Sequence, residues 1–246
     1  MASAQRELDR PAFYALRSGG WRDVVTLLHP PYTAWHLSYV AIGAAAAPHI
    51  YASRLIAALG AFFLAVGVSA HALDELHGRP LGTKLSKTTL IALAVTSLIG
   101  ATAIGIAGVA IVSPLIAPLV LAGAILVPAY NLELGGGRFH NDTWFALAWG
   151  GFPAFTGYFV NALAIRPAGI LTAAACCLLS AAQRQLSTPV RRLRRNTTEV
   201  VGQQRLRDGS VIELTRAGLS APLEAALRSL WLAVVLLAIG LVAVRV

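Results

Sequence analysis

Seven apolar runs, at 32–48, 50–73, 90–112, 114–130, 143–163, 167–183 and 223–244, take up most of this 246-residue sequence. A helix needs about 20 apolar residues to cross a bilayer, and flanking residues make up the difference for the shorter runs. The chain is 57% hydrophobic and only 13% charged, against about 25% charged in a soluble domain. The fold class that follows is all-α: a polytopic membrane helical bundle of about seven transmembrane helices. Pro114, Pro118, Pro128 and Pro153 are expected to kink or start helices rather than end spans. Cys176 and Cys177 adjoin each other inside an apolar run and read as small packing residues.

Charge orients the stack. With the N-terminus inside, 17 of the 20 Lys and Arg residues fall on the cytoplasmic side, and only Arg54, Arg166 and Arg245 fall opposite. The positive-inside bias therefore predicts a cytoplasmic N-terminus, and an odd number of spans puts the C-terminus outside. The net charge of +9 serves the membrane surface rather than nucleic acid. Few lysines beside many arginines and alanines point to a bacterial inner membrane. Nothing in the sequence sets the oligomeric state.

Four segments are expected. Residues 1–31 form a cytoplasmic interfacial amphipathic segment, with Trp21 and Phe13 among Arg10, Arg17 and Arg22. Residues 32–187 form a core of six transmembrane helices. Residues 188–222 form a basic cytoplasmic linker, in which Asp208-Gly209 between alternating runs predicts a small β-hairpin. Residues 223–246 form the last helix, with Ser220 as its expected N-cap.

Three links, at 74–89, 132–142 and 184–222, hold the polar residues, and all face the cytoplasm in this orientation. The first is the densest. His71, Asp74, Glu75, His77, Arg79 and Lys84 crowd the junction of two apolar runs. Ionisable groups are costly to keep at a membrane boundary, which makes them candidates for a site. In the last link, Arg191, Arg192, Arg194 and Arg195 form a face for anionic headgroups or for a phosphate, which arginine binds bidentately.

The first link resembles the aspartate-rich motif of the UbiA superfamily of intramembrane prenyltransferases. Arg79-Pro80-Leu81-Gly82-Thr83-Lys84-Leu85-Ser86 matches the trailing part of that motif. His71 and Asp74 fall where its early aspartates stand, with Glu75 adjacent. Tyr130-Asn131, followed by a polar loop and then Trp149-Gly150-Gly151, Pro153 and Gly157-Tyr158, is similar to a second family region. The motif's Asn-Asp start is Ala70-His71 here, and Gln183 to Thr188 holds no carboxylate where a second acidic motif would fall.

The resemblance implies an enzyme acting on a prenyl (polyisoprenoid) diphosphate, by transfer to an aromatic or lipid-like acceptor or by cyclisation. It implies magnesium (Mg2+) as cofactor, because the leaving diphosphate must be neutralised. Asp74, Glu75, Glu133 and Asp142 are the candidate metal ligands, and Asp74, Glu75 and His71 the candidate catalytic residues. Arg79, Lys84, Tyr130, Asn131, Arg138 and Arg184 are the candidate substrate-binding residues, with Arg184, Arg191 and Arg192 able to replace a second metal electrostatically. An apolar extension lined by Trp35, Phe62, Phe63, Trp149 and Phe152 would take the tail. Two other readings stand beside this one. His71, Asp74, Glu75, His77, Glu133, His140 and Asp142 form a His/carboxylate set able to hold iron or zinc. A non-catalytic lipid-binding protein would need neither metal nor a second acidic motif.

Overall fold

The computed structural model describes residues 10–245. The first nine residues of the expected interfacial segment and Val246 lie outside the described residues. A short helix α1 (Trp21–Leu27) leads into α2 (Pro30–Ala46). Helix α3 (Ala52–Leu76) contains a π-helical segment, Phe63–Ala70. Helices α4 (Lys87–Ile111) and α5 (Pro114–Asn131) follow. Helix α6 is built from Asp142–Ala146, a π turn Leu147–Gly151 and Phe152–Ala162. Helix α7 (Pro167–Arg191) ends in another π turn, Arg192–Asn196. Strands β1 (Gln203–Arg205) and β2 (Val211–Glu213) precede the last helix, α8 (Arg216–Ala243).

The long helices occupy the apolar runs, and local chemistry sets their starts. Pro30, Pro114 and Pro167 open α2, α5 and α7, where a missing N–H costs nothing. Ser86 and Asn141 accept the Thr89 and Trp144 amides as N-caps of α4 and α6. The last helix begins earlier than expected. Thr215 caps it by accepting the Gly218 amide, while Ser220 lies inside the helix and donates back to the Ala217 carbonyl. Pro222 is accommodated within α8. The hairpin forms where expected, antiparallel with Gln203 opposite Glu213. Asp208 accepts from the Ser210 amide and hydroxyl, which holds its turn.

At the centre α2 crosses α6 with the two backbones nearly touching. A Cβ added at Gly43 would overlap the Ala154 carbonyl, and one at Gly157 the Val40 carbonyl. On its other side α6 meets α7, where a Cβ at Gly150 would strike the Cys176 carbonyl. Small residues at such crossings allow the close approach that packs helices in a membrane. Trp35, expected at the apolar extension, is instead fully buried between α2 and its neighbours and donates to the Tyr39 hydroxyl.

Among the described residues four helices, α3, α4, α5 and α8, are long and apolar enough to cross a membrane. They present apolar residues outward, including Ile99 and Ile106 on α4 and Leu236 and Ile239 on α8. In α8 only 17% of the most apolar window is buried. A greasy outer face of this extent needs a lipid or protein covering and marks a membrane protein.

Candidate functional site

A polar cavity of about 710 Å³ opens at the end of the bundle that carries the 77–86 loop and the π turn after α7. All three π-helical segments among the described residues border it, through Val66 and Ala70, Trp149, and Arg192, Arg195 and Asn196. π turns recur at functional sites because they re-aim side chains out of the regular helix register. Here two of them also hold histidines. The Gly67 and Trp149 carbonyls, each inside a π segment, lie 3.1 Å from His71 Nδ1 and 2.7 Å from His36 Nδ1. A third carbonyl, that of Tyr130, lies 3.0 Å from His140 Nδ1. A carbonyl can only accept, so each Nδ1 carries the proton, and the imidazole lone pair is left on Nε2.

The wall is cationic. Arg79, Arg184, Arg191, Arg192 and Arg195 line it, and Asp74 is the one carboxylate among its described lining residues. The guanidinium groups differ in what they already hold. Arg79 donates to the Thr83 and Leu85 carbonyls and staples its own loop. Arg184 pairs with Asp142 at 2.8 Å and lies over the Phe145 ring. Arg195 donates through Nε to the Pro11 carbonyl, and among the described residues Arg191 reaches only the Thr188 hydroxyl, at 3.3 Å. Arg191 and Arg195 therefore keep most of their donors for a ligand. Asp74 is without a hydrogen bond or ion pair among the described residues, though Arg191 and Arg195 both act on it electrostatically.

The N-terminal segment supplies the roof. Pro11 to Tyr14 line the cavity. The Tyr14 hydroxyl lies 2.9 Å from His29 Nδ1, and the His29 ring stacks on His71 at 4.1 Å between centroids. His29 occupies left-handed backbone at φ 45°. Burial, reinforced by His71 and the nearby arginines, pushes its pKa well below the usual histidine value, so it stays neutral. Burial likewise pushes the Tyr14 hydroxyl well above the usual tyrosine value. Three buried polar atoms on cavity-lining residues, His29 Nε2, Tyr130 Oη and Gln183 Oε1, have no hydrogen-bond partner among the described residues.

Below the polar cavity lies an apolar slot between α3, α4, α5 and α6, lined by Phe62, Phe152, Gly105 and Gly123 among others. The cavity and the slot share Val66 and Trp149. Along α3 the slot runs from Val66 to Arg54, about 18 Å at 1.5 Å per residue. Phe63, expected among its lining residues, turns outward and is 38% exposed.

Of the residues singled out from the sequence, the cavity gathers His71, Asp74, His77, Arg79, Tyr130, Asn131, His140, Arg184, Arg191 and Arg192. It does not gather Glu75, Lys84, Glu133, Arg138 or Asp142. Glu75 is fully buried beneath the 77–86 loop and accepts from the Leu81 amide, the Thr83 amide and the Thr83 hydroxyl, at 2.8–2.9 Å. Lys84 is exposed, its amide donating to Asp23. Glu133 is exposed 3.9 Å from His77, and Arg138 is exposed as well. Asp142 sits in the first turn of α6, paired with Arg184. The four expected magnesium ligands therefore do not share a site, and no group of three or more His, Cys, Asp or Glu residues able to hold a metal occurs among the described residues. This donor set does not fit a protein-held metal cluster.

Tyr14, Tyr32 and Gln183 were not legible as site residues. For the α7 face a signal existed: Arg184, Thr188, Arg191 and Arg195 recur at helical spacing, which puts them on one side. No protein-family model, curated protein or solved structure matches this chain.

Proposed function

We propose that this protein is an integral membrane enzyme acting on an isoprenoid diphosphate, with its head in the arginine-walled cavity and its tail in the apolar slot. The observation that carries this reading is the seam at Val66 and Trp149, where a cationic chamber meets an apolar channel. An amphiphile with a polyanionic head and a long apolar tail matches both halves. The likeness of the 79–86 stretch to the UbiA superfamily supports the same substrate class. In this reading all seven long helices cross the bilayer of a bacterial inner membrane, with the cavity facing the cytoplasm.

The chemistry then follows from the walls. Arg191, Arg195, Arg192 and Arg184 bind the diphosphate and stabilise the charge that develops as its C–O bond breaks. Preorganised charges in a water-poor chamber act more strongly than in bulk water. The allylic carbon lies at the seam beside the rings of Trp149 and Tyr130, whose centroids are 5.4 Å apart. Ring faces of this kind attract a cation. Asp74 holds the opposite charge near the head. The acceptor, aromatic or lipid-like, enters beside the tail.

The test is pyrophosphate release from geranyl, farnesyl and longer diphosphates by the purified protein, with and without Mg2+. Lipid extracted with the protein should contain a polyisoprenoid by mass spectrometry. A second reading, a binding protein for a lipid phosphate, is favoured by the presence of one carboxylate where a metal-dependent enzyme would use several. Tight binding of a prenyl diphosphate without release would decide for it. Neither binding nor release would refute both.

A further inference from the structure

The apolar slot has a polar end that the proposed reaction does not use. Away from the cavity, its lining ends where Arg54 and Val160 meet the turn between α4 and α5, at Val112 and Ile116. Helices α3 and α6 run in opposite directions along it. The Phe62 and Phe152 rings meet with centroids 5.8 Å apart, and about two turns further out Arg54 Nη1 donates to the Val160 carbonyl at 3.1 Å. Arg54 lies in the first turn of α3, so it marks one membrane boundary of a helix long enough to span. Its guanidinium also lies over the Tyr51 ring, 4.0 Å from the centroid. No carboxylate pairs with it among the described residues. A guanidinium has a fork of N–H donors, and most of this one is left for an anion.

A second observation lies one helical turn further in. Thr156 of α6 also lines the slot, is 9% exposed, and its hydroxyl has no hydrogen-bond partner among the described residues. Other helical hydroxyls in this protein satisfy themselves. Ser38, Thr96, Thr102 and Thr188 each donate to the carbonyl four residues back, and Thr102 does so within the same slot. Thr156 precedes Val160 by four residues, which puts it about 6 Å inward from the Arg54 contact. From its rim inward the slot therefore offers a cation with unused donors, a buried hydroxyl without a partner, and then apolar walls at Phe62 and Phe152. That is the order of groups along a membrane glycerophospholipid: phosphate, ester carbonyl, acyl chain. An isoprenoid tail carries no oxygen at its far end and would leave both polar groups unused.

We propose that the far end of the slot is a binding site for a glycerophospholipid of the leaflet opposite the cavity. Arg54 takes the phosphate, Thr156 donates its hydroxyl hydrogen to the ester carbonyl of one acyl chain, and that chain lies in the slot toward Val66. The second chain stays in the bilayer. The site goes beyond the isoprenoid diphosphate reading and does not depend on it. It has one consequence for that reading. The slot runs about 18 Å from Arg54 to Val66, close to one leaflet of a hydrocarbon core about 30 Å thick. Acyl chain and isoprenoid tail therefore exclude each other, and a tail entering from the seam must push the acyl chain back into the bilayer.

The experiment uses the intact protein in detergent, with phosphatidylglycerol carrying a diazirine in its acyl chains as the probe. After illumination the labelled residues are mapped by mass spectrometry. No prenyl diphosphate is present, so the outcome is independent of that substrate. Labels should fall on the slot walls, at residues such as Phe62, Gly105 and Phe152. Labels confined to outward residues such as Ile99 and Leu236 overturn the site. Arg54→Gln should lower slot labelling roughly 10- to 100-fold, the worth of a hydrogen bond to a charged group, and unchanged labelling overturns the proposal. Thr156→Val keeps the shape, removes a hydroxyl that holds nothing among the described residues and should fold. It should lower slot labelling about three- to tenfold, as for a neutral hydrogen bond. A diether analogue, which lacks the ester carbonyls, should compete with the probe about threefold less well than the diester lipid in the wild type, and equally well in T156V. Equal competition in the wild type, or undiminished labelling of T156V, overturns the proposal however R54Q behaves. So does inorganic phosphate that displaces the probe as well as unlabelled lipid does, since the site would then serve a free anion.

Discussion

Glu75 and Asp74 are neighbours in sequence with opposite fates, and replacing Glu75 separates a loop support from a ligand. Its carboxylate is fully buried and holds three donors: the Leu81 amide at 2.9 Å, the Thr83 amide at 2.8 Å and the Thr83 hydroxyl at 2.9 Å. Glu75→Ala leaves two buried main-chain N–H groups without acceptors. At about 1–3 kcal/mol for each unsatisfied group, the loss is roughly 2–6 kcal/mol. Glu75→Gln keeps one oxygen, enough for Thr83, but turns an amide NH2 toward the Leu81 N–H, so it should cost about 1–3 kcal/mol. The order wild type, Gln, Ala should appear in thermal unfolding in detergent. It should appear again in trypsin cleavage at Lys84 in the 77–86 loop, since Arg79 is protected by the following Pro80. Inorganic pyrophosphate should bind folded E75Q within about threefold of wild type, because the side chain never reaches the cavity. An E75A protein with wild-type stability and a protected loop, yet without pyrophosphate binding, would refute the argument and return Glu75 to the site.

Replacing Arg191 or Arg195 by Gln should weaken pyrophosphate binding roughly 10- to 100-fold, the worth of about 1.5–3 kcal/mol for a hydrogen bond to a charged group; titration calorimetry at two salt concentrations checks it, and a loss below threefold for both would empty the anion chamber of its meaning. Gly157→Ala places a methyl into the Val40 carbonyl and should destabilise by about 1–3 kcal/mol through overpacking, seen as earlier thermal unfolding in detergent; wild-type stability would mean that α2 and α6 do not cross so closely. His29 is held neutral in the fold, with its pKa well below the unfolded value near 6.5, so the unfolded chain binds the extra proton first. Stability contributed this way is present above about pH 6.5 and is lost as pH falls below it, by up to about 1.4 kcal/mol per pH unit. Thermal unfolding from pH 7.5 to 5 should show the decline. His29→Asn should shrink it, since Asn tolerates the left-handed backbone of this position, and an unchanged slope would show that His29 carries none of it.

The architecture was largely legible. Apolar runs became helices at nearly the expected places, since burial or lipid contact of some 20 residues leaves few alternatives. Asp208-Gly209 turned a hairpin because its turn chemistry is local. The site was legible only in part. On a helix, successive residues point about 100° apart, so of Asp74 and Glu75 only one could face the cavity. Which one depended on how the 77–86 loop folds back, a tertiary matter. The cation face of α7 was split in reading because hydrophobicity stops near Gln183 while the helix runs on to Arg191. The π turns have no sequence signature, yet they aim Trp149 and Arg195. The roof over the cavity joins residues near Pro11 with Arg195, 184 positions away, a contact that no local pattern encodes.

The distribution of carboxylates decides what the cavity can attract. Glu224 is bound in a buried pair with Arg194 between α8 and the end of α7. Glu75 is committed to the 77–86 loop, Asp142 to Arg184, and Asp23 to the Gly19 and Lys84 amides that fasten α1 to that loop. Asp208 is spent on its turn. These acids hold the scaffold together, and each one so used is unavailable to offset Arg191, Arg192 and Arg195. Among the described residues, what faces the chamber is Asp74 against several guanidinium groups. A wall of this balance favours anions over cations. Burial is the first cause that keeps His29 neutral, and His71 and the nearby arginines add to it. The acids are thus spent mostly on structure, and among the described residues the arginines are left facing the cavity.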